Sequence, residues 1–175
     1  MKRLIFIPFF FLLFLTAVSS QENSLQKSTV LVMPFDRYIS YPFHNDLLRE
    51  SLITGLLEKN FNPVLDHQSW EMVLERDYEF TNLSTNQADT IAIISGADLV
   101  MFGFLNDFST TRSGTLSTTT KHTRPVLIKV YDRKKNALVL YERLTLEANW
   151  GLLNNRLTLN QIGTKIAQLL KNQGY

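Results

Sequence analysis

The apolar positions of this chain fall into short blocks with two different periods. Residues 97–105, Ala-Asp-Leu-Val-Met-Phe-Gly-Phe-Leu, form a nearly continuous apolar run behind Gly96. Such a run, between a turn signal and a polar tail, predicts a strand buried on both faces. Gly103 inside it, and a helical pattern just before it, argue against a helix. Residues 29–35, Thr-Val-Leu-Val-Met-Pro-Phe, predict the first strand, ended by Pro34, which has no N–H to give a ladder. Leu48, Leu52 and Leu56 then mark a helical stripe widened by Leu47, Ile53 and Leu57, which predicts a helix buried on most of its circumference. Asn45 or Asp46 can cap it. Gly55 within it is costly for a helix, so close packing on a neighbour is expected there.

Residues 62–65 predict a short strand. Asp66 can cap a second helix with Trp70, Val73 and Leu74 inward, and His67 in its first turn reads as a surface residue. Ser84 and Gln87 form a capping-box pair ahead of a third helix, which faces Ala88, Ile91 and Ala92 inward and ends at Gly96. After Leu105 the composition shifts. Residues 109–123 are rich in Ser and Thr around Ser113-Gly114, which predicts a long hairpin with a solvated outer half. Residues 124–131 alternate, Val126, Ile128 and Val130 against Leu127, Lys129 and Tyr131. Residues 132–136 read as a polar, solvated tip, and 137–146 as the returning antiparallel strand. Residues 150–156 read as irregular, and Thr158 as the cap of a last helix with Leu159, Ile162, Ile166 and Leu169 on its stripe. The expected order is β-α-β-α-α-β-β-β-α. It implies one α/β (α+β) domain, a mixed sheet of about five strands with helices packed on it, and a long antiparallel hairpin.

The N-terminus changes the compartment. Met1-Lys2-Arg3 is basic, residues 5–18 are apolar, and Ala17-Val18-Ser19-Ser20 supplies small residues before a polar stretch. This is the anatomy of a signal peptide, expected to be cleaved after Ser20. Its core is shorter than the roughly 20 apolar residues of a membrane anchor. Residues 21–28 are a short flexible leader, and 29–175 the domain. The chain has no cysteine, so neither a lipid on a cleavage-site Cys nor a disulfide framework is expected. The formal charge of +2 comes entirely from Lys2 and Arg3, so the processed chain is neutral and carries no basic surplus for nucleic acid.

Candidate chemistry is sparse. His44, His67 and His122 are scattered, and no H-E-x-x-H, G-x-S-x-G or Gly-rich phosphate loop is present. Asp132 and Glu142 could meet across a hairpin, which is more often a surface arrangement. Asp36, just past the first strand, lies where ligands often bind in open α/β sheets, although a turn carboxylate is the blander reading. No cofactor, metal site or catalytic residue is expected.

Several pieces in this order resemble a known family. They are Val30-Leu31-Val32-Met33-Pro34-Phe35-Asp36, the helix at 47–58, Val64-Leu65-Asp66 leading into a helix with Glu75, Gly96-Ala97-Asp98-Leu99-Val100-Met101-Phe102-Gly103, and Ile128-Lys129-Val130-Tyr131-Asp132. Together they are similar to the exported CsgG/LpoB-like domain, whose relatives include the curli secretion channel, the penicillin-binding-protein activator LpoB and the N-terminal domain of TolB. The resemblance implies a non-enzymatic periplasmic protein acting by protein contacts in cell-envelope assembly or secretion, peripheral to the outer membrane at most. A curli-type pore is not expected, since spanning hairpins need alternating lipid-facing residues that 109–123 do not offer. Other readings stay open: a small-molecule binder near Asp36, a regulator of peptidoglycan synthesis of the LpoB kind, and an envelope hydrolase.

The expected partner is an envelope protein, with no nucleic acid and no stable membrane insertion; oligomerisation is left open. The expected partner-binding residues are on the Ser/Thr hairpin: Thr110, Arg112, Thr118, Lys121, His122 and Arg124. A hairpin arm leaves N–H and C=O groups along its edge, and the cations would draw an acidic or extended segment to it.

Overall fold

The computed structural model describes residues 27–35, 42–65, 71–73, 75–76, 78–106, 109–113, 119–148 and 152–175. In chain order the elements are β1 (Thr29–Val32), α1 (Pro42–Glu58), β2 (Asn62–Pro63), a 3-10 turn (Phe80–Asn82), α2 (Thr85–Ser95), β3 (Leu99–Leu105), β4 (Ser109–Ser113), β5 (Thr119–Asp132), β6 (Ala137–Ala148) and α3 (Leu152–Asn172). Residues 71–73 add a helical turn.

β1 lies between β2 and β3 and runs parallel to both, with Val30 beside Pro63 and Leu99. β3, β5 and β6 are antiparallel neighbours. β5 meets β4 on one side and β6 on the other at the same residues, His122 and Thr123. β4 therefore occupies the lane of β3. The six strands fill five lanes of one mixed sheet, as the sequence pattern implies.

Two apolar layers sandwich this sheet. Odd and even residues of a strand face opposite sides, so a run buried on both faces must have cover on both. On one side Val30, Val32, Leu99, Met101, Val126, Ile128 and Val130 pack with Leu48, Leu52 and Leu56 of α1 and Ile162, Ile166 and Leu170 of α3. On the other, Leu31, Met33, Val100, Phe102 and Tyr131 pack with Val73 and with Ala88, Ile91 and Ala92 of α2. The α2 boundaries follow from its ends. Ser84 Oγ accepts from the Gln87 N–H, the Gln87 side chain accepts from the Ser84 N–H, and Gly96 takes the left-handed conformation, φ 65°.

Four expectations need correction. α1 begins at Pro42, five residues before 47, because proline suits a first helical turn, where its missing N–H leaves no bond unmade. Leu57 on that helix is 54% exposed, so the buried stripe is narrower than the apolar pattern suggests. β5 is one strand from Thr119, so the alternating stretch at 124 is not its start: residues 119–123 pair with β4, and those from His122 onward with β6. α3 begins at Leu152, within the stretch read as irregular, because Leu152, Leu153, Arg156 and Leu157 favour helix more than the two Asn residues oppose it. The stripe of α3 buries Leu170, with Leu169 partly covered. Asp36, Asp66, His67, Trp70 and Leu74 lie outside the described residues, as do residues 1–26.

Candidate functional site

The densest polar cluster is at the β5–β6 turn. Asp132 is 3% exposed. Its Oδ1 accepts the backbone N–H of Lys134 at 2.7 Å and of Lys135 at 3.1 Å, the side-chain-to-backbone pattern by which Asp shapes a turn. Its Oδ2 accepts the Tyr175 hydroxyl at 2.6 Å. Lys135 Nζ donates to the Tyr175 oxygen at 2.7 Å and stands 4.2 Å from the ring centroid. Burial, then the bond to Asp132 and its charge, push the Tyr175 phenol well above its ordinary range. Asn136 closes the turn at φ 49°, a conformation that Asn tolerates better than most residues.

Asp98, at the start of β3, ties the same end of the sheet together. Its Oδ2 accepts the Thr29 N–H at 3.0 Å, and its Oδ1 pairs with Lys134 Nζ at 3.1 Å. Burial alone would raise its carboxyl, but the Thr29 N–H, Lys134 and Arg133 outweigh it and hold the carboxyl below its ordinary value. The Tyr131 hydroxyl lies 3.1 Å from Asp89 Oδ1 and 2.9 Å from Asn136 Oδ1. Burial first, then Asp89, raises its phenol. Every carboxylate here already holds a strand end, a turn or a helix. Residues 133–136 are exposed, as expected of a solvated tip, but Asp132 at its base is a buried anchor.

Asp132 and Glu142 do not meet. Asp132 stands opposite Ala137 and Glu142 opposite Ile128, and Glu142 instead pairs with Lys165 of α3 at 3.0 Å. Among the described residues no group of three or more His, Cys, Asp or Glu could hold a metal ion. No helix among them is long and apolar enough to cross a membrane.

The hairpin carrying the expected partner-binding residues is present. Thr110 pairs with His122, Thr111 with Lys121 and Arg112 with Thr120. His122 also stands opposite Ala148, and Arg124 opposite Leu146. The arm is therefore three-stranded where β4, β5 and β6 run together. The three strands overlap only at His122 and Thr123; at Thr119–Lys121 β5 pairs with β4 alone, so among the described residues the outer side of β4 and this stretch of β5 have no strand beside them. Thr110, Arg112, His122 and Arg124 share one parity of the ladder and Lys121 the other; Thr118 lies outside the described residues.

The same arrangement of strands and helices occurs in a solved structure. The chain is similar in fold to a meningococcal lipoprotein. That protein, lipoprotein GNA1162 from Neisseria meningitidis, is 14% identical, with a TM-score of 0.53, covering 81% of this chain and 99% of that one. The hypothetical protein CT253 from Chlamydia trachomatis overlaps 83% of this chain and 92% of its own at 14% identity, TM-score 0.48. The LpoB C-terminal domain from Salmonella enterica overlaps 67% and 81% at 13% identity, TM-score 0.44. No protein-family model and no curated protein sequence matches the chain.

Proposed function

We propose that this chain is an exported, non-enzymatic interaction domain of the bacterial cell envelope, and that it holds a protein partner through the β4–β5 arm. The observation that carries the reading is the arm itself. Five polar Ser, Thr and Arg residues of β4 are held in register with β5. An edge strand with no strand beside it is a template for a further one. The fold shared with a lipoprotein supports an envelope location, and the signal-like N-terminus supports export. The satisfied carboxylates at the β5–β6 turn support a structural rather than a catalytic use of the main polar cluster.

The partner-binding residues are Thr110, Arg112, Thr118, Lys121, His122 and Arg124. The processed protein begins near Gln21, carries no lipid and lies in the periplasm. Both parts are tested by placing a photo-crosslinking amino acid at position 110, 112 or 121, and at the exposed Ile93 on α2 as a control. Crosslinks to one envelope protein from the arm but not from Ile93, in a fractionated chain whose mass lacks residues 1–20, are expected. A retained N-terminus, or equal crosslinking from Ile93, contradicts the proposal.

A further inference from the structure

The two edges of the sheet are unlike. One ends in β2, two residues long, and its Pro63 has no N–H to offer. Short, proline-bearing edges are a common protection against unwanted pairing. The other edge is β6, twelve residues long, with no proline. Among the described residues no strand pairs with its outer side.

The two faces of β6 differ as well. Leu140, Leu144 and Leu146 face the layer of α1 and α3, with Glu142 between them held by Lys165. Leu138, Tyr141, Arg143 and Thr145 are exposed on the opposite face, where α2 covers β1, β3 and the Tyr131 end of β5 but not β6. Tyr141 is 65% exposed and Leu138 48%. Lys129, opposite Tyr141 on β5, places its Nζ 5.9 Å from the Tyr141 ring centroid and 5.7 Å from that of Phe102. An exposed aromatic ring beside a cation is a frequent anchor in protein contacts.

The charge of this hairpin is one-sided. From residue 125 to the end of β6 the hairpin contains Lys129, Arg133, Lys134, Lys135 and Arg143, against three acids, Asp132, Glu142 and Glu147. Asp132 is buried in its turn and Glu142 is paired on the helix-covered face. Around Tyr141 the open face therefore presents Lys129 and Arg143; Glu147, of the same strand parity, stands four residues from Arg143 at the far end of β6. A second copy of β6 would bring Arg143 towards its own like charge, whereas an acidic strand would meet Arg143 across the new ladder, with Lys129 one strand further in.

We propose that the outer edge of β6 is a docking site for an extended acidic segment of a partner protein, which joins the sheet as an additional strand with its side chains over Tyr141, Lys129 and Arg143. This rests on the interaction reading above but assigns a different edge. Main-chain bonds to β6 supply attachment, and the cations select sequence.

The probe is a short fluorescent peptide of alternating valine and glutamate, titrated by anisotropy into the purified chain. The expected result is saturable binding that slows hydrogen exchange at β6 amides. A matching peptide of alternating valine and lysine, and a Val–Glu peptide N-methylated at every residue, should not bind. Arg143→Glu and Tyr141→Ser, both at exposed side chains, should each weaken binding about tenfold. Absence of binding to the wild type, equal binding by the N-methylated peptide, or binding unchanged in Arg143→Glu overturns the proposal. So does a β6-mediated dimer, seen by sedimentation, that the peptide cannot displace. Trimming residues 110–121 separates the two readings. Peptide binding that is lost on trimming and indifferent to Arg143→Glu overturns this inference and leaves the arm standing. Binding that survives trimming and fails with Arg143→Glu supports β6 against the arm.

Discussion

Gly55 of α1 and Gly163 of α3 meet backbone to backbone where the two helices cross. A Cβ on Gly55 would overlap the carbonyl carbon of Gly163, and one on Gly163 would overlap the carbonyl of Ser51. The Gly163 N–H also lies 3.3 Å from Ser51 Oγ, a buried hydroxyl that can accept from it. One glycine in a helix costs about 1 kcal/mol relative to alanine. Two facing glycines thus weaken each helix in isolation and allow the pair to approach closely.

Gly163→Ala tests that relation. The propensity gain favours the variant, and the overlap with Ser51 opposes it. Overlap with backbone cannot be relieved by a side-chain turn, so a net loss of about 1–3 kcal/mol is expected in urea unfolding. A variant as stable as the wild type would show that the helices can separate without penalty.

Asp132→Ala removes the acceptor of two backbone N–H groups and of the Tyr175 hydroxyl. A loss of roughly 2–3 kcal/mol is expected, since the alanine side chain offers no acceptor to the three freed donors. Tyr175→Phe should cost less, because it leaves both backbone bonds in place. The order of the two variants in chemical denaturation is the readout, and a reversed order contradicts the role given to Asp132.

Phe102→Ala removes a ring that is 1% exposed in the α2-side core. The expected cost is about 3–5 kcal/mol. A change under about 1 kcal/mol would deny its burial.

The run at 99–105, the capping box at Ser84 and the close packing at Gly55 were readable in the sequence because each is a local pattern with a local cause. The Gly163 partner was not, since the match of two glycines more than a hundred residues apart is a tertiary fact. The burial of Asp132 was hidden for the same reason: a charged turn looks solvated until Tyr175 is brought over it. α1 and α3 start earlier than the caps available at Asn45, Asp46 and Thr158 suggest. Pro42 and the Leu-rich first turns of α3 extend the helices past those caps, and such boundaries are weakly encoded. Of the candidate site, the hairpin was legible from its Ser/Thr composition, but the third strand beside it was not, because β6 reaches Ala148 only through pairing.

Asp98 gives a pH signature. Its carboxyl is held below the ordinary value in the fold, so its contribution is fully present above the unfolded value, about 3.9, and is lost as pH falls through the folded value. Asp98→Asn keeps an acceptor for the Thr29 N–H and removes the charge. The gap in melting temperature between wild type and variant should be constant near neutrality and close below about pH 4. A gap that widens with acid would contradict the assignment.

The central claim is that the β4–β5 arm holds the partner. Its most direct measurement replaces residues 110–121 by a short Gly-containing turn and follows capture of the envelope protein crosslinked from the arm. The sheet core at 126–132, paired with β3, does not depend on the arm, so the shortened protein should keep cooperative unfolding. A folded protein that no longer captures that partner is the predicted result. A folded protein that captures it as well as the full chain contradicts the account.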